Sequence, residues 1–242
     1  MEEQRTAIVT GAGKRVGADL VSALVERGWT VIAHVRRDGD QVPKGARPVV
    51  ADLDSPNCAE RIFAAAKDLP PVRLLINNAA RFAWDGFGEF SPAELDLHMH
   101  VNLCAPILLM EALAKRHAGG DALVVNLLDS KLAAPNPDFL SYTLSKQALL
   151  GATGLAARAF APKGIRVNAI SPALMLRSPG QSEENFKAMH ERNPLRRGVA
   201  SGDIIAAIDY LVAARAVTGE VLTIDGGQRF DPPPRDVQFL ES

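Results

Sequence analysis

"TGAGKRVG" (residues 10–17) is the stretch whose reading decides the fold. It carries three glycines and joins a short β-branched run, "TAIVT" (6–10), to a helical pattern over 14–27. Glycines at a strand-to-helix turn let the backbone approach a pyrophosphate, and the helix start adds unpaired N–H donors and the positive end of its dipole. A glycine-rich match alone is weak. Here the strand before it, the helix behind it and its place near the start of the chain all agree. The turn reads as a dinucleotide cradle formed by Gly11, Lys14, Arg15, Val16 and Gly17. Lys14 and Arg15 stand at the unfavourable end of a helix dipole for cations. A bound anion compensates Arg15, whereas Lys14 reaches solvent more easily.

Working outward, strand-like runs recur at 30–35, 47–52, 72–77, 122–128, 165–170 and 220–225. Helical patterns fill 56–68, 91–100, 102–117, 139–161, 183–191 and 202–214. The strands are nearly continuous in apolar residues, as in a parallel sheet covered by helices on both faces. No repeat or Pro/Gly linker divides the chain, so one domain over 1–242 is expected. The link "RRDGDQVPKGA" (36–46) holds two glycines and a proline; it is too short and broken for a crossover helix.

Composition narrows the classes. With 242 residues and 47% apolar content the chain can bury a sizeable core. A net charge of −1 makes no electrostatic case for nucleic acid or an anionic membrane. No basic-then-apolar leader opens the chain, and no apolar run looks long enough to span a bilayer. Cys58 and Cys104 read as buried thiols suited to a reducing compartment, so a cytoplasmic protein is expected. The five histidines (34, 98, 100, 117, 190) form no ligand cluster with the cysteines, and no metal site is expected.

The second strand ends "AHVRRDGD". An acid at that place takes a ribose 2′-hydroxyl, whereas arginine accommodates a 2′-phosphate. His34, Arg36 and Arg37 therefore point to NADPH, although Asp38 turned inward would repel a phosphate. Asp52 can reach the adenine and Leu53 pack on it. Tyr142 and Lys146 are four apart and share one helix face. A nearby ammonium lowers a phenol pKa, which makes Tyr142 a plausible proton donor.

These pieces, with "NNAA" (77–80), Asn102, "YTLSK" (142–146), "IRVNAISP" (165–172) and "IDGG" (224–227), give a chain that resembles the short-chain dehydrogenase/reductase family over about residues 5–227. The resemblance implies a doubly wound Rossmann-type three-layer sandwich of about seven parallel strands. It also implies a homo-oligomer, tetramer or dimer, built on helices 102–117 and 139–161. It places Asn78, Ala79, Ala80, Pro172 and Leu174 at the cofactor, gives Lys146 the nicotinamide ribose as well, and gives Asn102 the support of a water chain to the lysine. The family usually has glycine where Arg15 stands, and serine thirteen residues before the tyrosine, where this chain has Asp129. Arg15, the His-x-Arg-Arg run, Phe82 and Asp129 together look like the pteridine reductases, including the dihydromonapterin reductases. In that subgroup the arginine and the aromatic face a flat pterin.

Strand alternation over 122–128 argues that Ser130, one residue late, does not replace the missing serine. Asp129, if sheltered, has a raised pKa and helps Tyr142 deliver a proton to a ring nitrogen. The expected activity is NADPH-dependent reduction of a pterin-like substrate, with Asp129, Tyr142, Lys146 and Asn102 as catalytic residues and Arg15, Phe82, Asp129 and Tyr142 at the substrate. The alternatives are a reductase of small ketones or 3-oxoacyl thioesters, and an NADPH-binding protein without turnover. Residues 174–199 read as a substrate lid. The Pro-rich tail (230–242) reads as a disordered end or a segment docked on a neighbouring subunit.

Overall fold

The computed structural model describes residues 4–175, 177 and 181–240. Seven strands form one all-parallel sheet: β1 (Thr6–Val9), β2 (Thr30–Val35), β3 (Arg47–Val50), β4 (Val72–Asn77), β5 (Ala122–Leu127), β6 (Ile165–Pro172) and β7 (Val221–Ile224). Their spatial order is β3-β2-β1-β4-β5-β6-β7. The order reverses between β1 and β4, which opens a crevice at the carboxyl ends of the strands. β1, β5 and β6 are buried along their whole length, Arg166 and Asn168 of β6 included, as expected of a parallel sheet covered on both faces.

Helices cover both faces. α1 (Arg15–Glu26) and α7 (Ser201–Ala213) pack on one face, whose apolar layer includes Leu20, Leu24, Val31, Leu74, Val125, Ile204 and Ile208. The other face is covered by α2 (Cys58–Ala64), α3 (Pro92–Met99), α4 (Ala105–Arg116) and α5 (Leu140–Phe160), with Ile8, Ile32, Leu75, Val124 and Val167 beneath them. α6 (Glu183–His190) lies in the expected lid; Leu176 and residues 178–180 of that lid, and residues 241–242 of the tail, fall outside the described residues. The link 36–46 contains no helix, as its glycines and proline require.

Two expectations are corrected. Helices 91–100 and 102–117 are one continuous 25-residue helix, because a π-helical segment (His100–Cys104) bridges α3 and α4 where a break was expected. By length and composition this helix could cross a bilayer, but half of its most apolar stretch is buried in the protein, against α2, α5 and β4. Cys104, on the π segment, is exposed, while Cys58 is buried; both are free thiols.

Candidate active site

The glycine turn closes on the crevice. Gly11 has φ +66, and a Cβ there would stand 2.9 Å from the Cα of Ala79. At Gly17 a Cβ would meet the carbonyl oxygen of Gly11 at 2.1 Å. Side chains are excluded at both places, which preserves the bare backbone that a pyrophosphate needs. Val16 is buried beneath the turn, and Lys14 is exposed at the N-cap of α1, whose first turn holds no acid. Arg15 adopts φ 56, the left-handed conformation that suits glycine; a non-glycine residue held there costs on the order of 1–3 kcal/mol. Its guanidinium donates to the Arg177 carbonyl at 2.9 Å and so ties the turn to the segment after β6.

His34 is buried behind the turn. Its Nδ1 accepts from the Gly11 amide at 3.1 Å, and its Nε2 donates to the Ala51 carbonyl at 2.9 Å. Burial pulls its pKa below the ordinary histidine value, which suits this neutral tautomer. Both ring nitrogens are consumed by the protein, so the expected contact of His34 with a phosphate is replaced by a strut between β2, β3 and the turn. Arg36 and Arg37 are exposed beyond the end of β2, and Asp38 lies exposed beside them. Arg36 stands 3.6 Å from the Asp52 carboxylate, which is half exposed. Leu53 is buried in the core instead of presenting its side chain to solvent. Asn78 spends its side-chain amide on the carbonyls of Thr10 (2.8 Å) and Gly11 (3.2 Å), so it too braces the turn; Ala79 packs against Gly11, and Ala80 is exposed.

Across the crevice, α5 carries Tyr142 and Lys146. The Tyr142 hydroxyl donates to Oδ2 of Asp129 at 2.9 Å. Oδ1 of Asp129 accepts from the Lys131 amide at 2.9 Å. Burial pushes the Asp129 carboxyl above the ordinary carboxylate range, against the opposing pull of these two hydrogen bonds. Burial first, and then the Asp129 carboxylate, push the Tyr142 phenol well above its ordinary value. The expected lowering of the phenol by Lys146 is therefore reversed: the nearest charged partner of its hydroxyl is an acid. Lys146 is buried, donates to the Leu127 carbonyl at 2.6 Å, and is drawn down to about 8 by burial, with Asp129 opposing.

The start of α5 is held from outside. Phe139 precedes it with φ 54 and offers no side-chain cap. The cap comes from Asp85, beyond β4: its buried carboxylate accepts from the Ser141 amide at 2.9 Å and from the Ser141 hydroxyl, and its carbonyl accepts from the Leu140 amide. These bonds satisfy orphan donors of the helix start, one residue before Tyr142. Asn102 is buried in the π segment, a form that recurs at functional sites. Its Oδ1 accepts from the Arg81 amide at 2.7 Å, and its Nδ2 donates to the Arg81 carbonyl and to the Ser145 hydroxyl. Asn102 thus clamps the loop after β4 to α5 and makes no hydrogen bond to Lys146.

A cavity of about 110 Å³ opens on the Asp129–Tyr142 pair. Phe82 and Leu174 line it. The Phe82 ring is 41% exposed, stacks on Phe139 at 4.2 Å and 18°, and meets Tyr142 edge-on at 4.8 Å. Arg15 is not among its walls. The far wall is the C-terminal tail of the same chain: Pro232, Pro233, Asp236 and Val237. Arg235 forks onto Asp138 at 2.6 and 2.9 Å, the Asp236 amide donates to Asp138 at 2.8 Å, and the Asp236 carboxylate stands 3.6 Å from Lys131. Arg235 holds the Asp138 carboxyl below its usual range.

Comparison with known proteins gives the family. Residues 11–229 match the family described as enoyl-(acyl carrier protein) reductase, within the short-chain dehydrogenases/reductases. The chain belongs to that family. FolM alternative dihydrofolate reductase 1 from Brucella canis, complexed with NADP, is 34% identical with a TM-score of 0.90, covering 98% of each chain. Mouse L-xylulose reductase is 32% identical over 92% of this chain and 96% of its own. Dihydromonapterin reductase from Klebsiella pneumoniae is 27% identical over 94% and 98%.

In this short-chain dehydrogenase/reductase, then, Phe82, Asp129, Tyr142 and Leu174 meet at one cavity, Pro172 ends β6, and Arg15 joins the lid backbone. One expectation differs in the structure. β5 ends at Leu127 and a 3₁₀ turn starts at Ser130 (Ser130–Ala133), so strand parity no longer governs Ser130, which also lines the cavity. The Tyr142 hydroxyl nevertheless bonds Asp129. Residues 231–240 of the tail pack on their own chain: Phe239 approaches Phe139 and Trp84, and Asn185 of α6 donates to the Leu240 carbonyl. Asp85, Lys131, Asp138 and the tail's place at the cavity wall were missed. Only the Arg-Asp pair and the aromatic at the tail's end hinted at a docked segment.

Proposed function

We propose that this enzyme is an NADPH-dependent reductase of a pterin or a similarly flat nitrogen heterocycle. The observation that carries the reading is the Tyr142 hydroxyl on Asp129, 2.9 Å apart, beside the half-exposed ring of Phe82. The residues present fit a dinucleotide. Gly11 and Gly17 leave a cradle that side chains would fill, and Arg36 and Arg37 are the cations available to a 2′-phosphate. When bound, NADPH supplies the hydride. Phe82 offers a face on which a planar ring can stack. Tyr142, kept protonated by burial and by Asp129, donates its hydroxyl proton to a ring nitrogen. Asp129, raised by burial above the ordinary carboxylate range, holds a proton to higher pH than an ordinary carboxyl and returns it to the tyrosine oxygen. Lys146 keeps its ammonium below about pH 8 and fixes α5 to the end of β5. Exposed Ile107 and Leu108 on α4, and Leu150 and Leu155 on α5, support assembly as a homotetramer through these helices.

A second reading, a reductase of small carbonyl compounds, is favoured by Ser130 at the cavity wall. It is weakened by the tyrosine's choice of an acid as its partner. NADPH oxidation measured with dihydrobiopterin, dihydrofolate and a panel of ketones separates the two. Turnover confined to pterins supports the first; turnover confined to ketones replaces it with the second.

A further inference from the structure

The tail from Asp231 to Leu240 does more than end the chain. It crosses from the Asp138 side of the cavity to α6, and it is fixed at both ends: Arg235 and Asp236 hold Asp138, while the Leu240 carbonyl holds Asn185. Between these points Phe239 lies 6.1 Å from Phe139 and 6.5 Å from Trp84, and Arg235 covers the Phe239 ring at 5.1 Å. The strap, the reacting pair and Phe82 wall the same cavity.

With the strap in place the cavity is about 110 Å³, whereas sites for drug-sized ligands run to roughly 300–1,000 Å³. The charge on the rim is also settled. Arg229 is paired with Asp225 at 2.6 Å. Lys131 is held by the Asp138 carbonyl and stands by Asp236. Both cations of the wall are thereby engaged with acids of the protein itself, so neither stands unpaired for the carboxylate of an entering substrate.

We propose that this strap sets substrate size and charge, with Arg235 and Asp236 as specificity-determining residues. Latched, it admits an unconjugated bicyclic ring and turns away the same ring carrying a long, carboxylate-bearing chain. This rests on the pterin reading above and names the subclass of substrate within it.

The test compares kcat/KM for dihydrobiopterin and dihydrofolate, with NADPH, in the full-length enzyme, in Arg235→Ala, in Arg235→Lys and in a chain ended after Asp231. Arg235→Ala and the shortened chain are expected to move the ratio toward dihydrofolate by about tenfold or more, through a lower KM for dihydrofolate. Arg235→Lys, which keeps the charge but not the fork, falls between. A ratio unmoved in both Arg235→Ala and the shortened chain overturns the size rule alone. If the full-length enzyme turns over neither pterin, the functional reading falls, and the size rule falls with it.

Discussion

The glycine turn and the C-terminal strap border the same crevice and are built by opposite means. The turn is backbone packed on backbone: Gly17 against the Gly11 carbonyl, Gly11 against Ala79, with His34 and Asn78 as polar struts behind it. The strap is side chain on side chain: an arginine fork, a carboxylate near a lysine, and loosely stacked rings, all between residues about a hundred positions apart. Close backbone packing fixes one geometry and tolerates no change. The strap hangs on few contacts, a half-exposed Arg235 on a buried Asp138 and a largely buried Lys131–Asp236 pair, so losing one side chain can release it. Under the proposed function the two regions have separate duties: the turn cradles the cofactor's pyrophosphate, and the strap screens the substrate.

Changes on either side should therefore move one set of constants and leave the other. The largest effect belongs to the proton donor between them: Tyr142→Phe should lower kcat by about 10²–10⁴ without altering NADPH binding measured by fluorescence quenching. Next is the turn. Gly17→Ala forces its Cβ onto the Gly11 carbonyl, and the NADPH KM should rise by about a hundredfold or more, the scale expected when a positioning contact shifts by an ångström. The dihydrobiopterin-to-dihydrofolate ratio should stay fixed; a shift in that ratio would break the division of duties. Replacing Arg36 and Arg37 by alanine should erode the preference for NADPH over NADH by about tenfold or more, as expected for lost charge-assisted hydrogen bonds. Equal use of both cofactors by the unaltered enzyme would remove the phosphate role of these residues.

Smaller effects sharpen the picture. Asp129 is raised by burial, so it holds its proton to higher pH than an ordinary carboxyl, and Lys146 loses its proton above about 8. Both losses come as pH rises, so kcat should fall from mildly acidic to alkaline conditions. A profile rising to pH 9 contradicts the assignment. Asp85→Ala should cost about 0.5–2 kcal/mol of stability, the usual range for a lost helix cap, and should lower kcat more than it changes the KM for NADPH. Asp85→Asn should recover part of both.

The same comparison explains what could be read from the sequence. Seven apolar runs separated by helical patterns are local features, and the sheet they form is present in the expected order of elements. The missing helix after β2 was legible because Gly39, Pro43 and Gly45 interrupt it. Side-chain direction was not legible. In β2, five successive residues from Val31 to Val35 are buried, so alternation cannot say that His34 turns toward the glycine turn and not toward a phosphate. Asn102 carries no local sign that it will clamp Arg81 to Ser145, and the π segment around it leaves the amphipathic pattern ambiguous. Asp85 caps a helix that starts 55 residues later, and the strap meets Asp138 from the far end of the chain. Such contacts depend on chain topology, which no local period encodes.

The central claim is that Asp129 supports Tyr142 in protonating a ring nitrogen. Asp129→Ser restores the residue the family usually carries, keeps a hydrogen-bonding group on the tyrosine, and removes the acid. The measurement is kcat/KM for dihydrobiopterin with NADPH, set beside that for a small ketone in the same preparation. The account predicts a fall of about a hundredfold or more for the pterin, with ketone reduction unchanged or increased. Full pterin activity in Asp129→Ser would contradict it.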